Sequence, residues 1–266
     1  MTDSKPHHTA AVLGAILSDA RRRRFMLLAE PAALLGVSPD TVAAIEHGTH
    51  RISPAALAAL AVLYRCGQDA WALQCLLVPG TPDDPAVQDK EPGHAARLAA
   101  CTRQAGRVRW LSTTLLPPPV QTPRYARNVA EPSTLLPGAP LDPPADTVYI
   151  LDSRVIERGS GTPAVMAEQL HHLLSLVDHG TSIRIVPAAH PIPQPPGHHV
   201  EMTLPGGPVL ARPGPDWVDY QPPGTWSDRT DGVLGTTDPT SSRALLEQAA
   251  RKHTWAARSV HEPGTR

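Results

Sequence analysis

The 266-residue chain is poor in aromatics, with 4% Phe, Trp and Tyr and a single phenylalanine, and it has three cysteines and a formal net charge of −1. Each scarcity excludes something. Cys66, Cys75 and Cys101 are odd in number and lack zinc-ligand spacing, so free thiols in a reducing cytoplasm are expected. A near-neutral chain exerts no global pull on nucleic acid, so any DNA binding must come from a local patch. No apolar run approaches the ~20 residues that span a bilayer, and no signal-peptide pattern opens the chain. The expected location is cytoplasmic, with no membrane contact.

Proline, by contrast, is abundant, at 31 residues beside 19 glycines, and 41% hydrophobic residues suffice to bury a core. Proline-punctuated loops between compact elements follow. The length allows one small and one medium domain.

Residues 9–24 carry Leu13, Ile16, Leu17 and Ala20 at helical spacing and end in Arg21 to Arg24, cations where the helix dipole favours them. Glu30-Pro31 opens a short second helix to about Leu35. Gly36 supplies a positive-φ turn, Ser38 caps a third helix with Pro39 in its first turn, and Gly48 ends it. Ser53-Pro54 repeats that start signal before an apolar helical face of Leu57, Leu60, Ala61 and Tyr64, and a fifth helix follows from Asp69 to Leu77. The stretch from Val78 to Gly93 has four prolines and little to bury, which reads as a linker.

Beyond it, His94 to about Trp110 reads as a helix and Glu131 to Asp146 as a loop. TVYILD and TSIRIVPA read as strands flanking the amphipathic helix PAVMAEQLHHLLSLVDHG. Shorter strands in HHVEMTLP, GPVLAR and WVDYQP follow, then a loop and a last helix, Ser241 to Ala256. The expected fold is an all-α bundle of about five helices followed by an α+β domain with a small mixed sheet. Its divisions are residues 9–78, a linker at 79–93, the second domain at 94–256 and a tail at 257–266.

Gly36-Val37-Ser38-Pro39, Ile45-Glu46-x-Gly48 and Ser53-Pro54, ahead of a leucine-rich fourth helix, resemble the XRE family of helix-turn-helix regulators. The second half carries Gln121-Thr122-Pro123-x-Tyr125-Ala126-Arg127, then Leu151-Asp152, Gln169-Leu170, Ile185-Val186-Pro187 and Ser241-Ser242-Arg243. It resembles the C-terminal domain of unknown function typical of actinobacterial antitoxin-like regulators. The resemblance implies a DNA-binding transcription regulator, working as a homodimer on double-stranded DNA, with a small partner protein encoded nearby. Two departures stand out. Leu27-Leu28 replace a threonine and a glutamine that holds a DNA phosphate in the family, and Pro31 replaces a leucine.

On that resemblance the third helix enters the major groove, with Ser38 as its cap and Asp40, Thr41 and Ala44 nearest the base edges. Arg51 and the arginine run, Arg21 and Arg24 in particular, lie near phosphates. Residues 1–77 hold seven basic and six acidic side chains, a thin surplus for neutralising a backbone. Asp40 reads equally as a helix-end anion and as an acceptor from cytosine.

Glu168 and His172, four apart on one helix beside His171, do not form a closed metal site, because adjacent histidines point about 100° apart. Gly159-Ser160-Gly161 lacks the strand-elbow context that activates a serine. No metal, cofactor or catalytic residue is therefore expected. Gln121, Tyr125 and Arg127 are candidate partner contacts, the alternative being that Tyr125 packs inward and Arg127 pairs locally. Three functions stay open: a regulator whose second domain binds a small protein or ligand, an antitoxin-like interaction module with degenerate DNA binding, and a repurposed enzyme domain.

Overall fold

The computed structural model describes residues 8–67, 69–77, 86–129, 146–190, 192 and 197–259. Most of the loop expected at 131–146, residues 79–85 of the expected linker and residues 260–266 of the expected tail lie outside these. No helix among the described residues is long and apolar enough to cross a membrane.

Five helices open the chain: α1 (His8–Arg22), α2 (Ala29–Leu35), α3 (Pro39–Glu46), α4 (Pro54–Leu63) and α5 (Asp69–Cys75). Local chemistry accounts for their bounds. Ser38 and Ser53 each accept from the backbone N–H three residues on, at 3.1 and 3.2 Å, and each precedes a proline in the first turn. Between α2 and α3 the chain turns at Gly36, whose φ of 66° is left-handed and open to glycine at little cost. The periodic residues Leu13, Ile16, Leu17, Val42, Ile45, Leu57 and Leu60 are all buried.

Seven strands then form a mixed sheet: β1 (Val87–Asp89), β2 (Arg107–Ser112), β3 (Asp146–Asp152), β4 (Ser182–Val186), β5 (His198–Leu204), β6 (Gly207–Pro213) and β7 (Val218–Gln221). The helices between and after them are α6 (His94–Gln104), α7 (Pro123–Asn128), α8 (Ser153–Arg158), α9 (Pro163–Asp178), α10 (Trp226–Gly235) and α11 (Pro239–Ser259).

Contacts divide the chain into two compact units. One gathers Met1–Val108 with Val200–Gly224, and the other gathers Arg109–Pro140, Thr147–His199 and Thr225 onward. Composition alone places a boundary at residue 78. The first unit runs past it because α1 packs on α3 and also on α6, β6 and β7.

In the first unit β5, β6 and β7 are successive antiparallel neighbours, with Met202 opposite Val209 and Ala211 opposite Tyr220, and β1 pairs antiparallel with β7. Arg97, 1% exposed, ties the helices to this sheet. It bonds both carboxylate oxygens of Asp89 at 2.7 Å, the carbonyls of Glu91 and Pro92, and the carboxylate of Asp69 at the start of α5. Asp19 of α1 likewise holds Arg103 of α6 through two bonds of 2.8 and 2.9 Å. The turn between β5 and β6 presses on the bundle so closely that a Cβ at Gly206 would lie 2.5 Å from the carbonyl oxygen of His47 and 2.8 Å from Ala11 Cβ.

In the second unit β3 and β4 are parallel, with Ile150 opposite Arg184, and α8 and α9 make the crossover that parallel pairing requires. Helices α9 and α11 pack together, and α11 also lies on β4.

Four expectations change. The helix from His94 ends at Gln104: Ala105 is extended, the Gly106 N–H bonds the Thr203 carbonyl, and buried Val108 and Trp110 sit in strand β2. The linker carries β1, held by the Asp89–Arg97 pair. The short helix α8 follows β3 directly, capped by Asp152, which accepts from the Arg154 N–H at 2.9 Å. The loop after β7 contains α10, anchored by buried Trp226 and Thr230.

Candidate nucleic-acid interface

Helices α2 and α3 and the turn between them present one exposed edge. Ser38, Pro39 and Asp40 are exposed, Thr41 and Ala44 are half-buried, and Val42 and Ile45 face the core. Ser38 Oγ accepts from the Thr41 N–H at 3.1 Å and shares a hydrogen bond of 2.9 Å with the Thr41 hydroxyl. Both hydroxyls are thus engaged with each other, and Ser38 keeps capacity for one further partner and Thr41 for two. Asp40 stands in the first turn, where its charge opposes the helix dipole's positive end. The Ala44 carbonyl accepts from the Thr49 N–H at 2.9 Å and from the His50 N–H at 3.1 Å, which closes the chain over the end of α3 and leaves Thr49, His50 and Arg51 exposed.

Residues 12–73 match a helix-turn-helix domain. That match spans α2, the Gly36 turn and α3, and it points to DNA binding and transcriptional regulation. Residues 136–233 match a domain of unknown function, DUF5753. No curated protein and no solved structure matches the chain.

Within the helix-turn-helix the arginine run divides in an unexpected way. Arg21 lies inside the bundle: its Nε and Nη2 donate to the two carboxylate oxygens of Glu46 at 2.7 and 2.8 Å, and Nη1 donates to the Met26 carbonyl at 2.7 Å. Its side chain is 11% exposed and that of Glu46 2%. The Tyr64 hydroxyl, also buried, donates to the same carboxylate at 3.0 Å. Hydrogen bonding to Glu46 raises the Arg21 pKa further, while burial and the nearby carboxylate raise that of the Tyr64 phenol. The expected phosphate contact at Arg21 is therefore corrected, because all three of its guanidinium nitrogens are engaged inside the bundle, two on Glu46 of α3 and one on the Met26 carbonyl.

Arg24 is exposed but also engaged, donating to the carbonyls of Ala20 at 2.9 Å, in the last turn of α1, and of Arg65 at 3.0 Å, just past the end of α4. The middle pair, Arg22 and Arg23, is exposed, and so is Arg51. No described residue engages the guanidinium of any of the three. Sequence reasoning named the outer pair, and the inner pair is the one whose guanidinium groups no described residue holds. A partner for Arg21 that lies 25 residues away has no signal in the run itself.

The candidate partner contacts in the second unit fall on both sides of its surface. Gln121 is buried, and its Nε2 donates to the Leu116 carbonyl at 2.6 Å. Tyr125 is fully buried, and its hydroxyl accepts from the Leu116 N–H at 3.3 Å. Burial of the phenol pushes the Tyr125 pKa up. These two are corrected to core positions that shape the segment before α7. Arg127 alone is exposed. Gln169, missed by sequence reasoning as a structural residue, completes the arrangement: Oε1 accepts from the Thr122 N–H at 2.6 Å and Nε2 donates to the Val120 carbonyl at 2.7 Å.

Glu168 pairs with Arg124 at 3.1 Å, His171 Nδ1 lies 2.7 Å from the Ala167 carbonyl, and His198 Nδ1 lies 2.8 Å from Ser112 Oγ. Among the described residues no group of three His, Cys, Asp or Glu side chains is placed to hold a metal.

Proposed function

We propose that the chain is a sequence-specific transcription regulator of the XRE type, acting in the cytoplasm as a homodimer, with α3 in the major groove of double-stranded DNA. The observation that carries this reading is the exposed edge of α3 behind an intact Gly36 turn and Ser38 cap. Ser38, Asp40, Thr41 and Ala44 face the bases. Arg22, Arg23 and Arg51 meet phosphates, with Arg24 beside them at the end of α1. The second unit binds a small partner protein or ligand that alters docking, and Arg127 is its exposed contact.

Salt dependence of binding to the DNA upstream of its own gene tests this. Three phosphate contacts in each protomer give a slope of log K against log salt of about −5 for a dimer. Replacing Arg22, Arg23 and Arg51 by alanine flattens the slope by about half or more while the fold persists. Absence of binding at low salt refutes the regulator reading. A second reading, an antitoxin-like module that captures a protein partner, draws on Phe25 and Leu27, which are 93% and 72% exposed beside the arginine run.

A further inference from the structure

The second unit carries a cleft of about 410 Å³ between α9 and α11, a size within the ~300–1,000 Å³ typical of small-molecule sites. His171 and Leu174 line it from α9, and the face of α11 from Glu247 to Arg258 lines it from the other side. At 100° per residue, Arg251, Trp255 and Arg258 fall within an arc of about 60°, with the arginines about 10 Å apart along the axis. The opposite face of α11 is spent on packing, through Leu246, Ala249 and His253. Trp255 is 71% exposed, an indole that folding leaves in water between two cations.

Charge adds a second observation. Helix α11 holds Arg243, Arg251, Lys252 and Arg258 against Glu247 alone, a net of +3 in a chain whose total is −1. Arg243 is occupied by Asp178 at 2.5 Å and by Glu247 at 3.0 Å. Arg251 reaches Glu247 only at 4.0 Å, and its side chain is 73% exposed. Arg258 is exposed and has no ion pair with a described residue. The positive end of the cleft is therefore the Arg258 end, with Trp255 three residues before it on the helix and Leu174 and Ala250 as apolar lining of the same cleft.

We propose that this cleft binds a planar organic anion: an aromatic or conjugated carboxylate whose ring stacks on Trp255 above Leu174 and Ala250 and whose carboxylate pairs with Arg258. An indole face takes a flat ring by stacking and by apolar contact. A guanidinium takes a carboxylate through two parallel hydrogen bonds. Glu247 beside Arg251 repels a second negative charge at the far end, so the site selects a monoanion. The inference rests on the ligand-binding half of the proposed function and is independent of DNA binding.

Equilibrium dialysis of the full chain against 2-naphthoate, with the uncharged 2-naphthamide as control, tests it. Saturable binding of naphthoate below about 1 mM is expected, with the amide about tenfold weaker. Arg258→Ala weakens naphthoate binding about fivefold or more, and Arg251→Ala weakens it less. Trp255→Leu removes most of it, while Trp255→Phe keeps a ring and retains part. These side chains are exposed, so circular dichroism of the variants should stay as in the parent. Absence of saturation, equal binding of acid and amide, or unchanged binding by Trp255→Leu overturns the proposal. A gel shift on the same preparation keeps the readings apart: DNA binding without naphthoate binding overturns the cleft alone, and naphthoate binding without DNA binding overturns the regulator alone.

Discussion

Replacing Glu46 by alanine strands the Arg21 guanidinium, 11% exposed, and the buried Tyr64 hydroxyl without their common acceptor. Breaking a buried ion pair from one side costs about 3–5 kcal/mol, because the remaining charge keeps its desolvation penalty and loses its compensation. The orphaned hydroxyl belongs to the same loss, so the two are not added. With an m-value near 3 kcal/mol/M for urea, the unfolding midpoint falls by roughly 1 to 1.7 M. Far-UV circular dichroism measures the midpoint, and amide exchange in α1 and α3 assigns the loss to the bundle. The triple variant Arg21→Met, Glu46→Leu, Tyr64→Phe removes all three polar partners together and should recover most of the stability. A midpoint shift under about 0.3 M for Glu46→Ala would refute the reasoning. So would an Arg21→Ala variant of unchanged stability whose DNA salt slope flattens by about one phosphate per protomer, since Arg21 would then be a contact and not a lock.

Gln169→Leu leaves the Thr122 N–H and the Val120 carbonyl buried without their partner. Each orphaned group costs about 1–3 kcal/mol, so thermal unfolding should show a loss of several degrees in the second unit. Gly206→Ala drives a methyl to 2.5 Å from the His47 carbonyl oxygen, and overpacking of this kind costs roughly 1–3 kcal/mol, read as a lower urea midpoint. Burial and the neighbouring His199 hold the His198 pKa down to about 4 from 6.5. The folded state resists a proton that the unfolded chain accepts, so this contribution is present above pH 6.5 and is lost as pH falls toward 4. His198→Asn, which keeps a hydrogen-bonding group near Ser112, should flatten the dependence of the urea midpoint across that window.

Elements written in local chemistry were legible in the sequence. The Ser38-Pro39 and Ser53-Pro54 starts, the Gly36 turn and the periodic faces of α1, α4 and α9 each depend on residues within a turn or two, and the structure has them close to the expected positions. Strands β1 and β2 were not legible. A three-residue strand is too short for a pattern, and Val108 and Trp110 continue the helical run of α6 as plausibly as they begin a strand. The helix α10 reads as a loop because only Trp226 and Thr230 are buried along it. At the candidate interface the shape of α2 and α3 was legible, and the duties of the arginines were not. Four identical side chains in a row carry no mark of which one meets Glu46 or which one reaches the Arg65 carbonyl.

Sequence alone determined the helix-turn-helix and its caps, because backbone hydrogen bonds, glycine torsion and proline geometry are satisfied within a few residues. It also determined the thin charge surplus that the reading edge has to work with. Tertiary structure decided what each charged or polar side chain is for. A buried ion pair forms only where distant elements exclude water together, as α1, α3 and α4 do around Arg21, Glu46 and Tyr64. Packing within each unit likewise took Gln121 and Tyr125 into the core and left Arg22, Arg23, Arg51 and Trp255 facing solvent.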